Sequence, residues 1–335
     1  MRRAALLVLP AVLALGVAAP AATASWADAQ IRVVVAEGVM GPSVGRFRSK
    51  QPLTAGALSR AIAAVTGIDR APERPDRLVR MHELERELVR AAGLFRSARR
   101  VQAEVRSAGL DPPKRVGVEV VARMLGLRYD HPSRDDGLEL RPRDPATRAE
   151  AAYSFAKLLQ LSDWSVPYVE DRVETLDLPL LTAWQRRILT RAVSFVGFPY
   201  VWGGTSERRQ TLFGVTSRGG FDCSGFAWRV YRIESYPGAP QLHNVLEGRT
   251  ASAMAGEVPA SARIRRAALR PGDLIFFSER GRSARPRDVS HMGIYAGRGW
   301  FVHSSSQGTT MTTLTGWYAE RFAWGRRPLR EAGLT

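Results

Sequence analysis

The stretch GGFDCSGFAWRVYR, residues 219–232, contains the only cysteine in a chain of 335 residues. Glycines and an acidic residue precede Cys223 and apolar residues at helical spacing follow it, so the pattern predicts a helix with the cysteine in its first turn. The unpaired backbone N–H groups at such a position favour a thiolate and predict a lowered pKa. We interpret Cys223 as a candidate nucleophile, with a small buried hydrophobic residue as the alternative.

A histidine pair lies downstream in DVSHMGIYAGRGWFVHSSS, residues 288–306. Alternating apolar residues on both sides of a glycine-containing turn predict a β-hairpin. If the turn is centred on Gly297, His291 lies directly opposite His303 on the same face of the sheet. One imidazole is then placed to act as a base toward Cys223, and the other to set its tautomer.

Other interpretations of these residues remain open at this point. A zinc ion held by Cys223 and the two histidines, with Asp222 as fourth ligand, uses the same side chains. A structural histidine pair is another alternative. The three remaining histidines have no partner at useful spacing; they are His82, His131 and His243.

Five blocks of the C-terminal half resemble, in order, the signature sequences of the NlpC family of cell-wall cysteine peptidases. The blocks are FPYVWGGT (198–205), FDCSGFAWRVY (221–231), LRPGDLIFF (269–277), SHMGIYAG (290–297) and WFVHSSS (300–306). The resemblance implies a papain-like α+β fold, in which the cysteine helix packs on an antiparallel sheet that carries the histidines. It also implies hydrolysis of peptidoglycan stem peptides between γ-D-glutamate and the following diamino acid, without a metal or organic cofactor.

The same resemblance implies roles for six residues. Those implied for catalysis are Cys223 as nucleophile, His291 as base and general acid, and His303 as the residue that orients His291. Those implied for the substrate groove are Tyr200, Asp222 and Ser224. The chain departs from the family in an insertion at residues 206–219 that carries three arginines. This loop either contacts the substrate beside the groove or is a solvated insertion.

The N-terminal half contains a repeat. Residues 47–65 and 140–158 align without a gap, and in both copies a proline and then a threonine precede apolar residues at helical spacing. Thr54 and Thr147 occupy the predicted helix N-caps. Between the copies, residues 75–95 predict an amphipathic helix, which we interpret as a divergent third unit.

This arrangement resembles S-layer homology modules over most of residues 26–160. The resemblance implies an all-α domain that binds an anionic cell-wall polymer. A generic helical domain without a ligand is the alternative.

The beginning of the chain predicts export. Residues 1–24 have two arginines, an apolar run and a small-residue cleavage signal, which is typical of a signal peptide; an uncleaved membrane anchor is the alternative. We expect a helical repeat domain at residues 25–161, an irregular linker at 162–183 and a peptidase domain at 184–335. The mature protein is then secreted, wall-associated and free of the membrane.

The net charge of +17 is concentrated on the peptidase domain, where 22 Arg and Lys face 10 Asp and Glu. For an exported protein, anionic wall polymers are a better match to this charge than nucleic acid. The sequence thus predicts a secreted cysteine endopeptidase held on the wall by its repeats. Two alternatives are a wall-binding protein without catalysis and an amidase on the same fold.

Overall fold

The computed structural model describes residues 25–334, and the predicted signal peptide at residues 1–24 lies outside them. The N-terminal part is helical, and in the C-terminal part helices pack on a five-stranded antiparallel sheet. This confirms the predicted combination of an all-α region with an α+β papain-like one. Among the described helices, none has the length and apolar character that crossing a membrane requires.

Six helices build the N-terminal part within the described residues. They are α1 (Asp28–Ala36), α2 (Ala55–Thr66), α3 (Met81–Ala91), α4 (Phe95–Ser107), α5 (Val116–Met124) and α6 (Arg148–Leu159). Their apolar faces form one core, which includes α1 against α6 and α4 against α5. The helix at the centre of the repeat pattern, α3, begins at Met81, six residues later than the predicted segment.

The segments that lead into α2, α3 and α6 meet around a pseudo-threefold axis. The N–H of Leu53 donates to the carbonyl of Ala146 (2.7 Å), that of Val79 to Leu53 (2.9 Å), and that of Ala146 to Val79 (2.8 Å). All three residues are buried. Two of the segments belong to the copies recognised in the sequence, and the third belongs to the predicted divergent unit. The three units therefore close a ring.

The helix caps of the two aligned copies are those predicted. The Thr54 hydroxyl accepts from the N–H of Ala57, and the Thr147 hydroxyl accepts from the N–H of Glu150. Each cap satisfies a backbone donor that the first turn of a helix leaves unpaired. The same local chemistry therefore starts α2 and α6.

Residues 162–183 differ from the predicted irregular linker, because they contain a helix, α7 (Ser165–Glu174). Val169 and Val173 are buried on the side of α7 that packs against α4. The spacing of these valines is helical, but acidic residues between them obscure the pattern in the sequence. The connection between the two parts is thus an ordered, packed segment.

The C-terminal part begins with α8 (Ala183–Ser194), which Thr182 and Gln185 cap reciprocally. Its further helices are α9 (Cys223–Trp228), α10 (Ala251–Gly256), α11 (Gly316–Arg321) and α12 (Pro328–Glu331). Four short strands precede α9: β1 (Thr205–Ser206), β2 (Gln210–Leu212), β3 (Val215–Ser217) and β4 (Gly220–Phe221). The main sheet contains β5 (Leu274–Phe277), β6 (His291–Gly297), β7 (Trp300–Ser305), β8 (Gly308–Thr313) and β9 (Phe322–Arg326).

The main sheet has the order β8-β7-β6-β5-β9, and α9 packs on its central strands. The predicted apolar face of the cysteine helix is buried at Phe226, Ala227, Val230 and Tyr231. The last two of these lie in a π-helical turn that continues α9. Packing of this face against β6 and β7 brings the cysteine to the strands that carry the histidines.

Arg123 links the two parts of the chain. Its guanidinium lies in the interior and donates to the backbone carbonyls of Gly197 (2.8 Å) and Gln307, which both belong to the C-terminal part. On the N-terminal side, the carboxylates of Glu119 and Glu139 lie 3.8 and 3.5 Å from it. The interface is therefore held by a buried charge with partners on both sides.

Candidate active site

Cys223 is the first residue of α9, as predicted, and Asp222 is its N-cap. The Asp222 carboxylate accepts from the N–H of Gly225 and, with its other oxygen, from the N–H of Gly203 at 2.9 Å. One side chain thus caps the helix and fixes the loop that precedes it. The position of the thiol is set by the same bonds.

Asp222 and Ser224 are joined by Arg249, a residue that the sequence analysis did not single out. Arg249 donates to both oxygens of Asp222 (3.2 and 3.0 Å) and to the Ser224 hydroxyl (2.8 Å). It also donates to the carbonyl of Gly203. A lone arginine in a polar segment gives no sequence signal for such a role. Asp222 and Ser224 therefore belong to a supporting network beside the thiol.

The register of the histidine hairpin differs from the prediction by two residues. Ile294 pairs with Val302 and Tyr295 with Phe301, which places His303 opposite Gly293 instead of His291. The prediction assumed a turn without a bulge, whereas the hairpin contains a bulge near Gly297. A shift of two residues preserves the face to which a side chain points. Both histidines therefore still lie on one side of the sheet.

The two rings contact each other diagonally. Nε2 of His291 lies 2.9 Å from Nδ1 of His303, and the rings meet edge to face. A Cβ atom on Gly293 would lie 3.2 Å from the His303 Cβ, so the glycine leaves room for this ring. The hydrogen bond occupies Nε2 of His291, and Nδ1 has no hydrogen-bond partner among residues 25–334.

Burial affects the ionisation of the thiol and of the histidines. Burial, with the nearby Asp222 carboxylate, raises the pKa of the Cys223 thiol to about 12, although the N–H groups of Met292 and Ser224 oppose this rise. Burial lowers the pKa of His291 to about 4 and also lowers that of His303. The predicted lowered thiol pKa is therefore wrong for the free protein, which holds a neutral thiol beside a neutral imidazole.

Cys223 and His291 line one open cavity of about 790 Å³. All three residues predicted for the substrate groove also line it; they are Tyr200, Asp222 and Ser224. Burial and the neighbouring Cys223 raise the pKa of the Tyr200 hydroxyl, which therefore stays protonated as a hydrogen-bond donor. The structure thus brings together five of the six predicted site residues in this cavity, and His303 lies behind His291.

The N-terminal part contributes a wall of the same cavity through residues 131–133. The Asp136 carboxylate accepts from the N–H of Trp202 in the C-terminal part, and lies 3.4 Å from Nδ1 of His131. Burial disfavours the charged form of His131, but its hydrogen bond to Glu139 outweighs burial and raises the pKa to about 9. Sequence spacing did not reveal Asp136 because its partner, the N–H of Trp202, lies 66 positions away across the domain contact.

The insertion at residues 206–219 forms a hairpin of β2 and β3 with Phe213 at its tip. Leu212 and Phe213 line the cavity, and Phe213 is 80% exposed. The three arginines of the insertion do not line this cavity, and Arg218 instead lies 3.7 Å from Asp144. The groove therefore receives an apolar tip from the insertion rather than its positive charges.

The zinc alternative needs Cys223, Asp222 and both histidines to form one ligand set. Within residues 25–334, no group of three or more His, Cys, Asp or Glu side chains is arranged to hold a metal ion. The zinc interpretation therefore finds no ligand set among them.

A thiol at a helix N-terminus, beside a histidine pair on an antiparallel sheet, defines the papain-like class of cysteine hydrolases. Residues 197–327, which lie in the C-terminal part, match the model of the NlpC/P60 family. This confirms the resemblance of that part to the family.

Among the relatives is murein DD-endopeptidase MepH of Escherichia coli, which is 32% identical over 42% of this chain and 44% of its own. Another is a γ-D-glutamyl-L-lysine dipeptidyl-peptidase of Bacillus subtilis, 31% identical over 38% and 34%. The chain thus spans less than half the length of these relatives. A crystal structure of an NlpC/P60 family protein from Bacillus cereus is 28% identical over 46% of this chain and 43% of that one, with a TM-score of 0.33.

Proposed function

We propose that the protein is a peptidoglycan hydrolase, a cysteine endopeptidase that cleaves stem peptides between γ-D-glutamate and the following diamino acid. The observation that carries this proposal is the cavity shared by Cys223 and His291 inside the residues that match the family. The names of the two relatives, a murein endopeptidase and a γ-D-glutamyl-L-lysine peptidase, support the substrate class.

In the proposed mechanism, proton transfer accompanies attack. The Cys223 thiol is neutral in the free protein, so Nδ1 of His291 takes its proton as the sulfur attacks the amide carbon. Nε2 of His291 then carries hydrogen toward Nδ1 of His303, which accepts it because burial keeps His303 neutral. His303 is therefore a positioning residue that fixes the tautomer of His291.

The remaining steps use the same groups. His291 returns the proton to the leaving amine, and the thioester is hydrolysed by a water that His291 activates. The backbone N–H of Cys223 and the protonated Tyr200 hydroxyl are the donors that we assign to the oxyanion. No step of this mechanism calls for a metal or an organic cofactor.

Digestion of purified muropeptides, with products identified by mass, tests the activity. We expect the wild-type protein to cut at the γ-D-glutamyl bond, and Cys223→Ala to be inactive while it keeps the wild-type melting temperature. Products cut at another peptide bond would show that the proposed cleavage site is wrong. Products cut at the sugar–peptide amide would favour an amidase. Cleavage by the Cys223→Ala variant would contradict the cysteine mechanism. Wall binding without cleavage by either protein would favour a binding protein without catalysis.

We also propose that the N-terminal repeats, which resemble S-layer homology modules, bind an anionic wall polymer. The support is a group of arginines where the first and third repeats meet: burial, with the charges of Arg60 and Arg48, lowers the pKa of Arg148. Mutual repulsion of this kind indicates a positive potential that an anion would relieve.

A sedimentation assay with purified cell walls tests this anchoring, with the full mature chain carrying Cys223→Ala. We expect the bound fraction to fall when the anionic polymer is extracted from the walls, and to fall equally for Arg60→Glu on intact walls. Arg90→Glu, on another helix, serves as the charge-matched control. Binding that survives both polymer extraction and Arg60→Glu would refute the proposal.

We propose, finally, that residues 1–24 direct export and are removed. N-terminal sequencing of protein recovered from the cell wall is expected to begin at Ser25. Recovery of the intact N-terminus with the membrane fraction would support an anchor instead.

A further inference from the structure

The groove continues beyond the histidine pair into a second cavity of about 550 Å³. Both cavities are bordered by His291, Ser305 and Ser306, so they adjoin. The cysteine borders only the first, whereas His303 borders only the second. Because His291 protonates the departing amine in the proposed mechanism, the leaving half of the substrate lies on the histidine side. The second cavity is therefore the place for that half.

The charge lining this second cavity is unbalanced. In the described part of the chain, no aspartate or glutamate lines it, and burial keeps both histidines neutral. Of its two arginines, Arg123 is compensated by the buried carboxylates of Glu119 and Glu139. The other is Arg172, on α7, and its charge is left without a counterion in the cavity.

Arg172 is held at the cavity without being neutralised. Its guanidinium lies 5.2 Å from the centre of the Tyr168 ring, one turn earlier on α7, in a cation–π contact. Within residues 25–334, its side chain forms no ion pair and no hydrogen bond. Arg172 is partly buried, and the half-exposed Trp317 lines the same cavity. All the donors of the guanidinium are thus available to a ligand.

We propose that Arg172 binds a free carboxylate on the leaving half of the stem peptide. A guanidinium can hold a carboxylate through two parallel hydrogen bonds, which gives both affinity and orientation. This inference rests on the proposed function and adds a substrate requirement to it. Since α7 lies outside residues 197–327, the requirement comes from the segment that connects the two parts rather than from the NlpC/P60 domain.

Two carboxylates on the leaving half have this chemistry. One is the side-chain carboxylate of a diamino acid that carries a second carboxyl group, and the other is the C-terminal carboxylate of the peptide. Four synthetic stem peptides separate the sources: one with both groups free, two with one group converted to the carboxamide, and one with both converted.

The first measurement is kcat/KM on these peptides. For the wild-type protein we expect a loss of about tenfold or more when the recognised carboxylate is amidated, since charge-assisted hydrogen bonds are lost. Arg172→Gln is expected to cleave the free and amidated peptides equally, at the lower rate, and Arg172→Lys to keep part of the preference. Arg90→Gln is the matched control, because Arg90 also lies over an aromatic ring, that of Phe95, and is expected to change nothing.

The second measurement is calorimetric binding of the same peptides to full-length Cys223→Ala protein, with and without Arg172→Gln. Carboxylate-dependent binding that Arg172→Gln abolishes would support the inference, even if the wild-type protein cleaves none of the peptides. Such a lack of cleavage would contradict the proposed function alone. Equal cleavage and equal binding of free and amidated peptides would overturn the inference and leave the proposed function intact. Absence of both cleavage and binding would overturn both.

Discussion

Asp222, beside the thiol, and Glu150, inside the helical repeats, are both carboxylates withdrawn from bulk water. Asp222 accepts from two backbone N–H groups, from Ser224 and from Arg249. Among residues 25–334, Glu150 has no hydrogen-bond partner at either carboxylate oxygen, and burial raises its pKa to about 7 against the opposing effect of Arg128. The two carboxylates thus differ in their donors: Asp222 has several, whereas Glu150 has none, and a buried carboxylate without donors takes up a proton more readily.

The largest expected effect follows from the raised pKa of the Cys223 thiol, to which burial and then the Asp222 carboxylate contribute. The free thiol has a pKa of about 12, so its rate of alkylation by iodoacetamide should rise about tenfold per pH unit between pH 6 and 9. Asp222→Asn removes one cause of the raised pKa and should speed alkylation at pH 7. A rate that is already constant below pH 7 would contradict this prediction and restore the thiolate expected from the helix N-terminus.

Arg123 is a buried cation that is paired with two carboxylates. Arg123→Met should lower the free energy of unfolding by about 3–5 kcal/mol, because Glu119 and Glu139 lose their counterion and two carbonyls lose their donor. Urea denaturation of the full mature chain measures this. The triple variant that also carries Glu119→Gln and Glu139→Gln should recover part of the loss; no recovery would show that charge is not the cause.

Removal of the Asp222 carboxylate is expected to have a smaller effect on the free energy of unfolding. Asp222→Ala should lower the free energy of unfolding by about 2–4 kcal/mol, since it removes a helix cap and leaves Arg249 without its counterion. Asp222→Asn keeps an acceptor for the cap and should lose less. If the two variants are equally stable in urea titrations, the cap contributes nothing measurable.

Removal of the Glu150 carboxylate is expected to change the free energy of unfolding in the opposite direction. The folded pKa of Glu150, about 7, lies above its ordinary value of 4.5, so the neutral form is the one that suits the fold. Its contribution is complete below pH 4.5 and is lost as the pH rises to about 7, which amounts to about 1–3 kcal/mol. Glu150→Gln should remove this slope and stabilise the protein at pH 7.5. A variant with the wild-type slope would rule out Glu150 as its source.

The smallest effect should come from an ion pair whose arginine is exposed to water. Arg218 is 57% exposed and lies 3.7 Å from Asp144. Arg218→Ala should change the free energy of unfolding by less than about 0.5 kcal/mol and leave muropeptide cleavage unchanged. A large loss of either would mean that the insertion acts through its charge, contrary to its apolar contact with the groove.

The sequence could predict what depends on local pattern. Sequence spacing predicts the cysteine helix, the caps at Thr54 and Thr147, and the shared face of His291 and His303. The prediction of a shared face holds despite an error of two residues in register, because strand side chains alternate between the two faces. The exact register could not be predicted, since it depends on a bulge next to Gly297.

Other features depend on residues far apart in the chain. Arg249 reaches Asp222 from 27 positions away, and Asp136 reaches Trp202 from 66. No periodicity connects such partners, and the polar environment of the thiol is created only when they meet. This is why the sequence predicted the position of Cys223 in its helix but not the raised pKa of its thiol.

The ring formed by Leu53, Val79 and Ala146 has a consequence for assembly of the N-terminal part. In an open array of repeats each unit contacts only its neighbours, so units can be added or lost at the ends. Here the first and last segments are themselves neighbours, through the bond between Leu53 and Ala146. Closure therefore waits until the third unit has been synthesised, and a fourth unit would have no edge on which to dock. The number of repeats is fixed at three by geometry, and they should form or unfold together.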